Sequence, residues 1–163
     1  MPTPDATLVV ATRDRPALVE RFLVPLAQTA RDRGWDVVVA DQSRNGHTRA
    51  LVEALDGVTY LWVEPGLARA RNAGSRPAAT GLISSCDDAV GVPPEWFDEV
   101  VRLFEEHPDA GAVCGPVRSQ AGDLLPGAAK HGAAGDHHAF RFYQLPLTAG
   151  FAAGFARRRL SRA

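Results

Sequence analysis

Two adjacent carboxylates, Asp87 and Asp88, are the side chains in this sequence best suited to chemistry. They follow the apolar pair Leu82-Ile83 and precede Val92 to Trp96, where a helix is predicted to begin. A hard cation such as Mg²⁺ takes one or two protein carboxylates and leaves its other positions to water and phosphate oxygens. The pair therefore predicts a site for a divalent cation and a phosphate ester, although an acidic pair in a turn is often simply solvated.

Polar side chains also follow the first two predicted strands. Thr12 and Arg13 come after the first, where they could contact a nucleotide, or Thr12 or Asp14 could cap the next helix. Both roles are compatible, because a capped helix N-terminus is itself an anion site. Asp41 ends the second strand, where it could accept hydrogen bonds from a base or a ribose, or form an Asx-turn.

The segment from Gly66 to Gly74 supplies basic and amide groups. Arg69 and Asn72 are three residues apart and therefore share one face of the predicted helix, whereas Arg71 points elsewhere. A guanidinium and an amide on one face suit a diphosphate and the edge of a nucleobase. The alternative is a solvated basic face.

Buried strands and amphipathic helices must position these groups. The predicted strands are 7–11, 36–40, 58–63, 80–85 and 111–117, and the helices between them are 16–34, 48–55, 67–72 and 94–107. Their alternation predicts an α/β fold with a Rossmann-like, doubly wound and mostly parallel sheet. Ligands of such sheets bind beyond the carboxyl ends of the strands.

The first helix carries a regular apolar pattern. Its predicted buried stripe is Leu18, Phe22, Leu26 and Ala30. Asp14 and Pro16 mark its start, Pro25 predicts a kink, and Gly34 predicts its end.

The pattern changes after residue 118. We predict an α/β domain over 1–118, followed over 119–163 by a long mobile loop (119–138), a strand near 140–143 and a basic tail. The only acids after residue 118 are Asp123 and Asp136. The five histidines have no spacing that favours a metal site.

Composition excludes several classes of function. A net charge of −1 gives no basic field for nucleic acid or an anionic membrane. No apolar run approaches the roughly 20 residues of a membrane span, and the N-terminus does not resemble a signal peptide. Cys86 and Cys114 lie in predicted strands, as buried thiols do. We expect a cytoplasmic protein with reduced cysteines. The first turn lacks the glycines of a dinucleotide oxidoreductase.

Several motifs together resemble the N-terminal half of family 2 glycosyltransferases of the GT-A fold, over residues 7 to 117. The matching segments are Val9 to Pro16, Val37 to Ser43, Gly66 to Gly74, Asp87-Asp88 followed by Pro94 to Phe97, and Gly111 to Pro116. The resemblance implies a nucleoside-diphosphate sugar donor, an unknown acceptor, and Mg²⁺ or Mn²⁺. The residues it implies are Thr12, Arg13 and Asp41 around the nucleoside, Arg69 and Asn72 near the base and diphosphate, and Asp87 and Asp88 at the ribose and metal.

The sequence departs from this family in two ways. Ala89 stands where many relatives have a third acid. The acceptor-binding half, which carries the general base in the relatives, is short or missing, so no residue is assigned as catalytic. The alternative function is therefore a truncated or degenerate GT-A domain that binds a nucleotide, or a protein partner, without transferring sugar. A second copy or a partner subunit could supply the missing wall.

Overall fold

A computed structural model describes residues 6–78, 81–114, 135–137, 140–144 and 155–158. The strands are β1 Ala6–Thr12, β2 Trp35–Asp41, β3 Val58–Trp62, β4 Leu82–Asp87, β5 Ala110–Cys114, β6 Gly135–His137, β7 Phe140–Gln144 and β8 Phe155–Arg158. The helices are α1 Pro16–Leu18, a π-helical segment Val19–Leu23, α2 Val24–Asp32, α3 His47–Glu53, α4 Leu67–Ser75 and α5 Pro94–Glu106. Strands and helices thus alternate as far as β5.

The described strands form one sheet in the order β3-β2-β1-β4-β8-β5-β7-β6. The first four of these run parallel. β8 is antiparallel to both of its neighbours, β4 and β5, so those two strands point the same way. β7 is parallel to β5, and β6 is antiparallel to β7. The predicted α/β fold with a parallel sheet is confirmed, and every antiparallel pair among the described strands involves a strand after residue 118.

The central strands are buried on both faces. All seven residues of β1 are buried, and Asp36 is the one exposed residue of β2. Strands covered by helices on both sides read as continuous apolar runs, which is how β1 and β2 read in the sequence. Helices must therefore cover both faces of this part of the sheet.

Alternate residues of β1 show which helix covers which face. Leu8 and Val10 belong to the main hydrophobic cluster, which includes residues of the π-helical segment, α2 and α5. Ala11 packs instead with Ala70 of α4. Because successive side chains of a strand point to opposite faces, α4 lies on one side of the sheet and the first helices and α5 lie on the other.

The buried face of the first helix differs from the prediction. Its buried residues are Val19, Leu23, Leu26, Ala27 and Ala30. Leu18 and Phe22 are only partly buried, so their placement in the stripe was wrong. The π-helical segment winds with i→i+5 bonds, and the extra residue in its turn shifts the upstream face by one position. It ends just before Pro25, which has no N–H and clashes with the carbonyl four residues earlier.

Helix α5 has the amphipathic pattern that the sequence predicted. Trp96 and Phe97 are fully buried. Both rings meet Trp35 at the start of β2, and the Phe97 ring packs edge-on against it with centroids 4.9 Å apart. These contacts join α5 to α2 and β2 beneath the sheet. No helix in the described part of the chain is long and apolar enough to cross a membrane.

The chain after residue 118 contributes strands to the same sheet. β7 matches the strand predicted near 140–143. β8 lies in the segment predicted to be a basic tail, where it pairs with both β4 and β5. The predicted loop 119–138 falls outside the described residues except for 135–137, which form β6. The division of the chain at residue 118 stays a prediction.

Candidate functional site

The parallel strands bring the predicted site residues to one edge of the sheet. In the register, Thr12 of β1 is the partner of Asp41 of β2, and Ala11 is the partner of Asp87 of β4. Asp41 is in turn the partner of Trp62 of β3. The carboxyl ends of the four strands therefore meet where a sheet of this type binds its ligands.

Asp88 is a buried carboxylate at this edge. Its side chain is 0% exposed, and its Oδ2 accepts a hydrogen bond of 2.7 Å from the Thr12 hydroxyl. Its Oδ1 lies 3.2 Å from Nη1 of Arg15 but accepts no hydrogen bond of good geometry from the described residues. Burying an ionised carboxylate is costly unless its oxygens are compensated, so Oδ1 is an acceptor poised for a further ligand.

Asp87 faces the other side of the sheet. Its Oδ1 accepts a hydrogen bond of 2.7 Å from Nη2 of Arg71 on α4, and its side chain is half exposed. Asp88 contacts Thr12 and Arg15 on the side of the first helix instead. The alternation of a strand thus separates two consecutive carboxylates, each of which has an arginine of its own.

Asp41 is held inside the protein. It is 0% exposed, and its Oδ1 accepts hydrogen bonds from the amide and the hydroxyl of Ser43, at 2.9 and 2.5 Å. Its Oδ2 accepts a bond of 3.1 Å from the hydroxyl of Tyr60 on β3. Burial, reinforced by the Asp41 charge and hydrogen bond, raises the pKa of Tyr60 to about 12, so Tyr60 donates at any ordinary pH. The predicted Asx-turn at Asp41 is present through its bond to the Ser43 amide.

Ser43 passes this order on to the turn after β1. Its hydroxyl accepts a hydrogen bond of 2.7 Å from the amide of Asp14. Asp14 has a φ of 53°, a left-handed conformation that is uncommon outside glycine and tolerated best by Asn and Asp. This turn presents Arg13 and Arg15, so the buried Asp41 determines where two exposed cations stand. Neither Thr12 nor Asp14 caps α1, which has no side-chain cap.

Gln42 ties three elements together at the same edge. Its amide nitrogen donates to the Thr12 carbonyl at 3.3 Å, and its amide oxygen accepts from the Gly66 N–H at 2.6 Å. Gly66 immediately precedes α4 and has a φ of 144°, which only glycine adopts easily. The sequence analysis gave Gln42 no role. Its position directly after a strand-end acid was the available signal.

The basic residues of the site differ from the sequence prediction in which one reaches an acid. Arg69 and Asn72 are exposed on α4 and, among the described residues, pair with neither Asp87 nor Asp88. Arg71, which was placed on another face and given no role, is the arginine that contacts Asp87. Arg13 is exposed and lies 3.5 Å from its neighbour Asp14. Arg69 and Arg13 thus keep their charges turned to the solvent.

Metal-binding capacity at this edge rests on few groups. The described residues contain no cluster of three or more His, Cys, Asp or Glu side chains that could hold a metal ion. Burial, followed by the charges of Asp87 and Asp88, raises the pKa of the Cys86 thiol to about 12, so it stays protonated and is no ligand. Asp88 Oδ1 is the one acceptor here that is buried and lacks a hydrogen bond. A cation would therefore be bound by a single buried carboxylate, with other ligands from outside.

Comparisons with known proteins agree on one family. The family model described as glycosyl transferase family 2 matches residues 7–161. Validoxylamine A glucosyltransferases from Streptomyces hygroscopicus subsp. limoneus and subsp. jinggangensis (strain 5008) are each 30% identical to this chain over 119 residues. The match covers 69% of this chain but only 26% and 28% of those proteins. The chain thus spans about a quarter of the length of these curated relatives.

Solved structures share the fold. S. aureus TarS, as its fragment 1–349, matches with a TM-score of 0.63 at 18% identity, over 74% of this chain and 38% of that chain. The mannosyltransferase PcManGT from Pyrobaculum calidifontis, in complex with GDP-Man and Mn²⁺, matches with a TM-score of 0.59 at 26% identity. That match covers 71% of this chain and 36% of the mannosyltransferase.

Proposed function

Because the chain belongs to glycosyl transferase family 2, we propose that it binds a nucleoside-diphosphate sugar at the carboxyl edge of β1, β2 and β4 and transfers the sugar to an acceptor. One observation carries the proposal. Asp88 is a fully buried carboxylate at this edge, with one oxygen bound by Thr12 and the other without a hydrogen bond. A structural carboxylate would have both oxygens satisfied, and a binding site needs one that is not.

The nucleoside would lie over the ends of β1 and β2. Thr12, Arg13 and Asp41 are the residues we assign to it. Arg13 is exposed and can move onto the ligand, whereas Asp41 is buried and already accepts three hydrogen bonds. We therefore assign Asp41 to the floor of the site, where it holds the turn that carries Arg13.

The diphosphate and the ribose would lie between α4 and the end of β4. Arg69 and Asn72 are the groups of α4 that we assign to the base and diphosphate, and Asp87 is assigned to the ribose. Arg71 adds a second guanidinium beside Asp87, at 2.7 Å. Guanidinium groups suit phosphate oxygens because they donate two parallel hydrogen bonds.

A divalent cation fits Asp88, with Asp87 as the second predicted ligand. The donor is a carboxylate oxygen, the ligand type that Mg²⁺ and Mn²⁺ prefer, and Mg²⁺ commonly binds through one or two carboxylates plus phosphate oxygens. Such a cation would stabilise the negative charge on the departing diphosphate. Asp87 turns to the other side of the sheet, so Asp88 carries the larger share of the binding. The GDP-Man and Mn²⁺ complex of the mannosyltransferase supports this pairing of nucleotide and cation.

A binding experiment tests the proposal. Calorimetric titration of the purified chain with UDP, GDP and dTDP, in Mn²⁺ and again in EDTA, should show one nucleotide that binds more tightly with Mn²⁺. Asp88→Ala should lose the effect of Mn²⁺. Asp36→Asn is the matched control, because Asp36 is an exposed acid at the opposite edge of the sheet. If Asp88→Ala bound the nucleotide as tightly as the wild type in saturating Mn²⁺, the cation assignment would fail.

A second candidate function is nucleotide binding without transfer. It is favoured by the two arginines that already neutralise Asp87 and Asp88, and by Ala89 in place of a third acid. A transferase must position and deprotonate an acceptor hydroxyl, and general-base catalysis typically contributes about 10²–10⁴-fold. Assays of sugar transfer, with donor hydrolysis scored separately, distinguish the two. Multiple-turnover transfer to a defined acceptor would exclude the binding-only function.

A further inference from the structure

We propose that Arg15 acts as a built-in counter-ion on Asp88, and that a divalent cation binds Asp88 only by displacing it. The inference deepens the proposed function and rests on its cation site. It concerns one residue, Arg15, to which neither the family nor the sequence pattern assigned a role. Its consequence is that the affinity of the site for a cation is determined by a competition inside the protein.

The two members of this ion pair differ in their surroundings. The side chain of Asp88 is 0% exposed, whereas that of Arg15 is 55% exposed. The anion is therefore fixed, and the cation is a long side chain that mostly lies in water. Exposed ion pairs are weak and their side chains are easily withdrawn, while an unpaired buried carboxylate is costly. Arg15 is thus a partner that can leave and Asp88 one that needs a replacement.

The contact itself has the geometry of charge compensation rather than of a strong hydrogen bond. Nη1 of Arg15 lies 3.2 Å from Oδ1 of Asp88, but the bond is poorly aligned, and Oδ1 accepts no hydrogen bond from the described residues. Charge-assisted hydrogen bonds of good geometry are usually about 2.7–2.9 Å long. A metal ion would compensate the same oxygen more fully. Arg15 therefore stabilises Asp88 without saturating it.

The backbone of Arg15 stays in place when its side chain moves. Its carbonyl accepts hydrogen bonds from the amides of Leu18 and Val19, both at 3.1 Å, at the start of the first helix. The preceding residue, Asp14, is held by Ser43. Displacement is therefore a change of side-chain rotamer, which needs no rearrangement of the site.

Arg15 and a divalent cation cannot occupy Oδ1 together. Both would lie within a few ångströms of one oxygen, and like charges at such a distance repel strongly in a partly buried site. Once displaced, the Arg15 guanidinium remains on the turn at the carboxyl edge, where an anionic ligand would attract it. The exchange thus removes one positive charge from Asp88 and makes it available to the nucleotide.

Manganese binding to the chain without nucleotide tests this competition. The electron paramagnetic resonance signal of free Mn²⁺ disappears on binding and gives the dissociation constant for wild type, Arg15→Gln, Arg15→Lys and Arg76→Gln. We expect Arg15→Gln to bind Mn²⁺ at least about fivefold more tightly, the lower end of the usual range for coupled equilibria. Arg15→Lys should lie between it and the wild type. Arg76→Gln should match the wild type, since it removes the same charge from an exposed residue at the far end of α4.

Thermal unfolding supplies a second readout. Arg15→Gln leaves the buried carboxylate unpaired, so its melting temperature in EDTA should fall below that of the wild type, and Mn²⁺ should raise it by more. A ligand that binds only the native state stabilises it in this way. If Arg15→Gln folds only when Mn²⁺ is present, that result supports the exchange as well.

Each outcome separates this inference from the proposed function. If Arg15→Gln binds Mn²⁺ no more tightly than wild type while Asp88→Asn abolishes binding, the competition is refuted and the cation site stands. If Asp88→Asn leaves Mn²⁺ binding unchanged, both the competition and the cation site are refuted. Nucleotide binding in EDTA then decides whether the nucleotide assignment survives without the metal.

Discussion

Gly74 of α4 lies against Val9 of β1 so closely that a methyl group at Gly74 would stand 2.4 Å from a γ-methyl carbon of Val9. Real Cβ atoms do not approach a neighbour to this distance, so the helix and the strand touch because residue 74 has no side chain. Val9 is fully buried and cannot move away. This contact determines how near α4, with Arg71 and Asn72, comes to the sheet.

Substituting Gly74→Ala should therefore displace α4 from the sheet. Alanine favours the helix by up to about 1 kcal/mol, but overpacking of a core costs about 1–3 kcal/mol. We expect a net loss of stability, measured by urea unfolding, and weaker nucleotide binding. Val9→Ala combined with Gly74→Ala should restore part of both.

The control for this prediction is Gly91→Ala. A Cβ at Gly91 would meet no atom within 4 Å, so the substitution should leave stability and nucleotide binding within about 0.5 kcal/mol of wild type. Equal effects at residues 74 and 91 would contradict the close-contact explanation.

Gln42→Leu should loosen α4 at its other end. The substitution keeps the size of the side chain but removes the acceptor of the Gly66 N–H and the donor to the Thr12 carbonyl. A partly buried donor left unsatisfied costs about 1–3 kcal/mol. Hydrogen exchange should then speed up at Gly66 and the first turn of α4. Gln28→Leu, at an exposed glutamine of α2, is the control and should leave that exchange unchanged.

Tyr60→Phe should alter stability in a manner that depends on pH. The folded protein raises the pKa of Tyr60 from 10.0 to about 12, so its contribution is complete below pH 10 and is lost as the pH rises through 12. The free energy of unfolding of wild type minus that of Tyr60→Phe should thus shrink between pH 10 and 12. The chain has one lysine, Lys130, so few other groups titrate there. A difference that stayed constant over this range would contradict the role of the Tyr60 hydrogen bond to Asp41.

Arg69→Gln should weaken nucleotide binding without a cost in stability. Arg69 is exposed and pairs with neither site acid within the described residues, so its whole charge is available to a phosphate. Loss of one charge-assisted hydrogen bond costs at least about 1.4 kcal/mol, which is roughly tenfold in the dissociation constant. Arg76→Gln, on the same helix, should change it less than twofold. Calorimetry in EDTA measures this effect apart from the cation.

The sequence could predict the strands and their edge because burial on both faces leaves an unmistakable apolar run. That run located Asp41 and Asp87, and the rule for parallel sheets placed them together. Arg71 was missed because helical spacing shows which residues share a face but not which face meets the end of β4. Gln42 was missed because its bonds run to main-chain atoms of distant residues, which no residue pattern reports.

Two further differences have physical causes in the chain itself. The buried stripe of the first helix was misplaced because an α-helical period was assumed where the turn before Pro25 is π-helical. β8 was read as a basic tail because Arg157 and Arg158 suggest solvent, while its pairing with β4 and β5 depends on partners far away in sequence. Local composition cannot show that such a segment lies in the middle of a sheet.

The position of β8 also orders the events of synthesis on the ribosome. β1 to β4 can pair with one another as soon as they emerge, since each has its parallel partner earlier in the chain. β5 has no such partner, because β8 stands between it and β4. Residues 155–158 must therefore emerge before β5 joins the first half of the sheet, and until then β4 presents an open edge. A nascent chain halted before residue 155 should accordingly be the species that most needs a chaperone.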